Sequence, residues 1–237
     1  MMKTDEKMIV NGKRLDGRKP DEMREIKMEV GVIPNADGSA KVSFGKTTAI
    51  AAVYGPRKLF PRHKQKSDTG IIQYNYDMAT FSVDERKRPG PGRRETEISK
   101  VSRLALEPVL FLKDFPKTTV DVFIEIIEAD GSTRVTAINA ASLALADAGV
   151  PMRDLIVGLS GGMVNGVPII DLCGKEDNYC DADVPIAFLP NKNEITLLQM
   201  DGRLTPEETK SIVRNVLHAG KEVYKKQVEA LKKKYSE

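Results

Sequence analysis

Apolar and polar positions alternate at Ile26, Met28, Val30 and Val32, which predicts a strand with one face turned inward. Asp37-Gly38 predicts a hairpin turn into a second strand over Ala40–Phe44. Further β-rich runs are Thr47–Tyr54, Ile71–Tyr76 and Thr119–Glu128, the last with Val120, Val122, Ile124 and Ile126 on one side before Asp130-Gly131 ends it. The period then changes. Ile98, Val101, Ala105 and Val109 recur every three or four residues, which predicts a helix from about Glu95 to Lys113 that Pro108 should kink or split. A second helix starts at Ser132 or Thr133, runs through the alanine-rich 137–148 stretch and stops at Gly149. So many alanines imply close packing against a sheet. After Pro151 come strands near Leu155–Val164, Val167–Leu172, Val184–Leu189 and Glu194–Met200, then one long helix. Thr205, Pro206 and Glu208 form a capping box at its start, Ile212, Val216, Ala219 and Val223 its buried stripe, and Lys232–Lys234 complement its dipole at the end. This order predicts an α+β fold of mixed sheets packed with helices, in two unequal halves, 1–150 and 151–237.

Composition narrows the class. Of 237 residues, 41% are hydrophobic and 30% charged, which excludes collagen-like and wholly disordered chains. The longest apolar run, Ala49–Tyr54, has six residues against the roughly 20 of a bilayer span, and the start at Met1–Lys7 has no apolar stretch, so no membrane association and a cytoplasmic location are expected. Cys173 and Cys180 match no zinc spacing and are expected as free thiols. Because 37 basic residues exceed 34 acidic ones by only three, the placement of charge must carry any argument about partners.

Three segments carry that placement. The first, Asp84–Glu95, puts five cations in a Pro- and Gly-rich loop, with Arg93 and Arg94 at the positive end of the next helix dipole. A solvated loop carries such a run too, but an anion bound at that helix start would reverse an unfavourable placement. The second, Gly131-Ser132-Thr133-Arg134, joins a strand to a helix and reads either as an ordinary cap or as a phosphate cradle. The third, Glu176–Asp183, could merely solvate a turn, yet Asp177 and Asp183 can meet at the mouth of a strand, a pair suited to Mg²⁺ or Mn²⁺ held with substrate phosphates. Together they suggest phosphoryl transfer on a polyanion. No serine or cysteine has a recognisable histidine partner, and no P-loop pattern occurs. Gly161-Gly162, between strand residues, reads as a bulge or a close backbone approach.

Several of these residues lie in longer motifs: Arg14-Leu15-Asp16-Gly17-Arg18, Tyr54-Gly55-Pro56-Arg57, Phe81–Lys87, Gly92–Glu95, Ala140–Gly149, Pro151–Asp154 and Ala182–Ala187. Across nearly the whole chain they resemble the ribonuclease PH family, specifically the catalytic ring subunits of archaeal exosomes. The resemblance implies the ribonuclease PH-like fold and degradation of single-stranded RNA from its 3′ end by phosphorolysis, with inorganic phosphate as co-substrate and nucleoside diphosphates as products. It implies Asp177 and Asp183 as the catalytic, metal-holding pair, Arg94, Gly131, Ser132 and Thr133 as the phosphate site, and Arg93 and Arg134 as RNA contacts. Around Asp68-Thr69-Gly70 the chain lacks a basic residue that related ring subunits carry, and Arg62 and His63 nearby are the expected RNA contacts in its place. Implied partners are a related inactive subunit in a heterohexameric ring and RNA-binding cap proteins. Two other readings share the fold: a non-catalytic RNA-binding ring subunit, and a stand-alone ribonuclease PH trimming transfer RNA. A passive RNA channel has no use for the acidic pair among its cations.

Overall fold

A computed structural model describes residues 8–236; the expectation made at Met1–Lys7 lies outside them. After a small hairpin of β1 (Ile9–Val10) and β2 (Lys13–Arg14) come β3 (Ile26–Val30), β4 (Gly38–Phe44), β5 (Thr47–Lys58), β6 (Ile71–Met78) and β7 (Thr118–Glu128). These last five form one sheet in the order β3-β4-β5-β7-β6, antiparallel except for the parallel β6–β7 pair, which α1 (Arg93–Leu106) connects. The second sheet holds β8 (Val157–Val164), β9 (Val167–Ile170), β10 (Ala182–Leu189) and β11 (Glu194–Leu198) in the order β11-β10-β8-β9, and β12 (Asp201–Gly202) also pairs with β10. A short α3 (Gly174–Tyr179) precedes β10, and α4 (Pro206–Tyr235) closes the chain.

Between the two sheets lies α2 (Thr133–Asp147), buried at every position except Arg134 and Ala146. Its alanines permit that sandwich: a Cβ on Gly38 of β4 would come 2.2 Å from the Ala148 backbone nitrogen and 2.4 Å from the Ala144 carbonyl oxygen. The helix ends as the sequence predicts, with Gly149 at φ +69° and its N–H donating to Ala146 while Val150 N–H donates to Leu145. One hydrophobic core runs from Ile26 to Val223, across both sheets and past Pro151. The capping box at the start of α4 forms, with Glu208 N–H donating to Thr205 Oγ1 and Glu208 Oε2 accepting from Thr205 N–H at 2.7 Å. Its buried stripe also includes Gly220 and Gln227; the Gln227 amide donates to Asn139 of α2 and to the Ile156 carbonyl.

Three expectations change. Asp37-Gly38 is not a two-residue hairpin turn, because β3 already ends at Val30, Gly38 opens β4 against α2, and the Asp37 carboxylate accepts from Gly55 N–H at 2.7 Å. The helix predicted to reach Lys113 is split at Pro108 as expected, but it ends earlier, at Leu106, with Pro108 in a following 3-10 turn, since proline has no N–H for the helical ladder. The acidic 176–183 stretch is not all turn: α3 forms there around Glu176. Gly161 and Gly162 are close approaches, as expected. A Cβ on the first would lie 2.6 Å from Ile212 of α4, and on the second 2.5 Å from the Ala182 carbonyl oxygen.

Candidate active site

Five segments converge on one small cavity of about 50 Å³. Its lining is Arg94 from α1, Ser132, Thr133, Arg134 and Val135 at the start of α2, Ser160 of β8, Asp177 of α3, and Asp183 and Pro185 of β10. A much larger concavity, of about 1190 Å³, lies elsewhere, under α4 around Arg24 and His218. Of the residues singled out in the sequence, Arg94, Ser132, Thr133, Arg134, Asp177 and Asp183 thus meet. Arg93, Gly131, Arg62 and His63 do not line the cavity; Arg62 and His63 lie in an exposed 3-10 turn, Arg62–Lys64, between β5 and β6.

Gly131 has a packing task that the sequence did not show. At φ +74°, a Cβ there would lie 2.7 Å from the Cys173 carbonyl carbon and 2.9 Å from Gly174 N, so glycine lets the α2 entry pack on the α3 entry. That close approach sets Thr133 and Arg134 opposite Asp177. Ser132 follows, also left-handed at φ 57°, and makes no side-chain cap; its hydroxyl faces inward to Ser160 Oγ at 2.6 Å and donates to the Leu172 carbonyl at 2.8 Å. Ser132 stands at the N-cap position as expected, but its side chain does not cap: it is committed to holding β8 and the Leu172 segment.

A second correction concerns α1. Glu95, buried in the first turn, accepts from Gly92 N–H at 2.7 Å and pairs with Lys87. Burial opposes its ionisation, yet Lys87 and the backbone N–H groups hold its pKa below the ordinary value. The helix thus supplies its own anion at the dipole's positive end, and Arg93 and Arg94 need no external anion to offset the dipole.

The acidic pair is positioned by buried ion pairs that sequence reading missed. Arg14 of β2 donates to Glu176 Oε1 at 2.7 Å, forms a second bond to Oε2, and reaches the Ile170 and Asp171 carbonyls at 2.7 and 2.8 Å. Arg24 grips the Asp171 carboxylate in a fork at 2.6 and 2.9 Å and the Asp130 carbonyl at 2.6 Å, while Asp130 Oδ1 accepts from Gly174 N–H. Glu176 precedes Asp177 in α3, so these bonds aim Asp177 at the cavity. The Arg14-to-Arg18 motif was a visible signal, but its partners are more than 150 residues away in the chain.

Electrostatically the cavity is divided. Burial pushes Asp177 up, against Arg94, Arg134 and Arg24, which pull it down. Asp183 is pushed up to about 7 by burial, then by the charges of Asp177 and Asp201, with Arg134 opposing. In the strand register Asp183 sits between Gly162 of β8 and Asp201 of β12, a neighbour the sequence did not flag. Two carboxylates that each resist ionisation suit a hard divalent cation completed by phosphate oxygens and water. Among the described residues no larger cluster of His, Cys, Asp and Glu occurs. Cys173 and Cys180 are not joined in a disulfide.

A mixed two-sheet α+β body thus brings two arginines and two aspartates to one cavity, a set able to hold phosphate groups. The chain belongs to the ribonuclease PH family: residues 22–151 match the 3′ exoribonuclease family, domain 1, and residues 154–215 match its domain 2. It is 59% identical over 225 residues to the exosome complex component Rrp41 of Thermococcus kodakarensis, covering 95% of this chain and 90% of that protein. To the Rrp41 of Methanopyrus kandleri it is 54% identical, covering 95% and 94%. The fold is that of rice Rrp46, with a TM-score of 0.81 at 26% identity over 90% of this chain and 98% of that one. Among the described residues no helix is long and apolar enough to cross a membrane.

Proposed function

We propose that this chain is the catalytic subunit of an exosome-type complex, removing nucleotides from the 3′ end of single-stranded RNA by phosphorolysis. The observation that carries the reading is the cavity itself, where Arg94, Arg134 and the first turn of α2 face Asp177 and Asp183. Ser132 and Ser160 bind each other, so neither is poised as a nucleophile, and the attacking group comes from outside the protein. Inorganic phosphate fits that role because the site's cations can hold one anion beside another.

Arg94 and Thr133 hold the attacking phosphate, while Arg134, with Arg93 outside the cavity, orients the RNA phosphates. A new P–O bond forms as the bond to the 3′ oxygen breaks, and that oxygen takes up a proton for which Asp177 is the positioned donor. Asp177 and Asp183 fit Mg²⁺ or Mn²⁺, which when bound supplies positive charge for the scissile phosphate and the departing oxygen. Anchoring of both carboxylates on α3 and β10 keeps the pair fixed while the phosphates move.

The names of the relatives support membership of a multi-subunit assembly. A related inactive ring subunit, RNA-binding cap proteins and a cytoplasmic location complete the proposal. The test uses the assembled complex with labelled single-stranded RNA and Mg²⁺. Nucleoside diphosphates should appear only with phosphate present, and excess ADP at low phosphate should lengthen the RNA. Release of monophosphates in phosphate-free buffer, without extension by ADP, would refute it.

A further inference from the structure

Arg134 is gripped by a closed ring of side chains. Its Nη2 donates to Glu97 Oε2 at 2.9 Å, its Nη1 donates to Gln199 Oε1, and Gln199 Nε2 donates to Glu97 Oε1 at 3.0 Å. The guanidinium is donor-only and the carboxylate acceptor-only, so only one orientation of the Gln199 amide satisfies both. Glu97 belongs to α1, Arg134 to α2, and Gln199 to the link between β11 and β12; the ring therefore ties together three segments around the cavity. The Arg134 side chain is only 23% exposed, and its Nε–H is sealed from water without a partner. A buried donor left unpaired is costly, so the ring's two bonds to Nη1 and Nη2 are what hold the side chain in this place at the wall of the cavity.

We propose that Glu97 and Gln199 are positioning residues: they fix the Arg134 guanidinium at the wall of the cavity, where it meets an RNA phosphate. The inference rests on the phosphorolytic reading above and deepens it. A free arginine surrenders substantial rotamer freedom when it grips an anion, and here the ring removes that freedom on folding, before substrate arrives. Glu97, 42% exposed, has its charge screened by water, so Arg134 still acts on Asp177 and Asp183.

The experiment measures initial rates of the assembled complex with RNA and phosphate varied separately, for Glu97→Ala, Gln199→Ala, Arg134→Ala and the Glu97→Ala/Arg134→Ala double variant. Loss of the ring should raise the RNA concentration at half-maximal rate about 3- to 10-fold, the cost of re-ordering one long side chain. The phosphate dependence should stay within about twofold, and the double variant should match Arg134→Ala alone, since Glu97 acts through Arg134. Glu97→Gln, which keeps an acceptor for Arg134, should recover part of the loss. Anisotropy of labelled single-stranded RNA, in EDTA and without phosphate, should rank the variants in the same order. That arm stands even if the wild-type complex consumes no phosphate, an outcome that would sink the reaction and leave the clamp. An unchanged RNA dependence, a shift in phosphate dependence instead, or a double variant worse than Arg134→Ala by the full Glu97→Ala factor would each overturn the positioning role.

Discussion

Replacing Asp183 with Asn should make the metal-free protein more stable while abolishing its activity. The folded state holds a proton on Asp183 up to about pH 7, whereas the unfolded chain releases it near the ordinary 3.8. Below pH 3.8 the carboxyl is neutral in both states and costs nothing. As pH rises from there through about 7, ionisation favours the unfolded chain, and the penalty is complete above it. Roughly three powers of ten in proton affinity set a ceiling of about 4 kcal/mol, at about 1.4 kcal/mol per power. Water at the open side of the cavity lowers this, so about 1–4 kcal/mol is the working range at pH 8.

Asparagine fills nearly the same volume and removes the charge that Asp177 and Asp201 repel. Urea denaturation in EDTA at pH 8 should therefore give a higher midpoint for Asp183→Asn than for the wild type, with an unchanged slope. The gap should shrink toward zero near pH 4. Millimolar Mg²⁺ should raise the wild-type midpoint by mass action and leave the variant nearly unmoved. A variant less stable than wild type at pH 8 in EDTA, or a gap that ignores pH and Mg²⁺, would refute the picture of a strained, cation-seeking pair.

Three further outcomes follow from the same geometry. Glu176→Ala should cost about 3–5 kcal/mol in urea denaturation, because it strands the buried Arg14 guanidinium. That deficit should narrow in acid, since Arg14 and the Cys173 N–H, against burial, hold the Glu176 pKa below its ordinary value, and its stabilisation fades as pH falls through that value. Gly161→Val should lose about 1–3 kcal/mol by driving β8 off Ile212 and Val216 of α4, read as a lower thermal midpoint. Arg94→Ala should raise the half-saturating phosphate concentration at least about tenfold, with stability unchanged to about 0.5 kcal/mol, because Arg94 is exposed and the first turn keeps its anion in Glu95.

Regular periodicity made the sheets and α2 legible. Val120 to Ile126 alternate because β7 has one face in the core, and the alanines of α2 mark a helix squeezed between two sheets. Acidic and basic candidates were visible because they cluster locally: Arg94, Thr133, Arg134, Asp177 and Asp183 all reach one cavity. What stayed hidden depends on partners far along the chain. The α3 helix rests on Arg14, 162 residues from Glu176, and the Arg134 clamp on Glu97 and Gln199, 37 and 65 residues away. Part of the demand at Gly131 was hidden for the same reason: besides its φ of +74°, the approach of Cys173 and Gly174 leaves no room for a Cβ.

These hidden contacts explain how a site of mutually repelling groups survives in a folded protein. Burial and, at Asp183, the charge of Asp177 make ionisation of the pair unfavourable, and the proposed cation would offset that cost. Relieving it would need only a small rotation of α3 or a slip of the β10 mouth. Both motions are opposed: the first by Arg14 on Glu176 and by Arg24 on Asp171 just before α3, the second by the pairing of Asp183 with Gly162 of β8 and Asp201 of β12. Buried ion pairs contribute little net stability, but breaking one is costly, so they resist movement more than they add to the folding free energy. Their position directly behind the acidic pair follows from that distinction, because holding two like charges together requires stiffness at the point of repulsion.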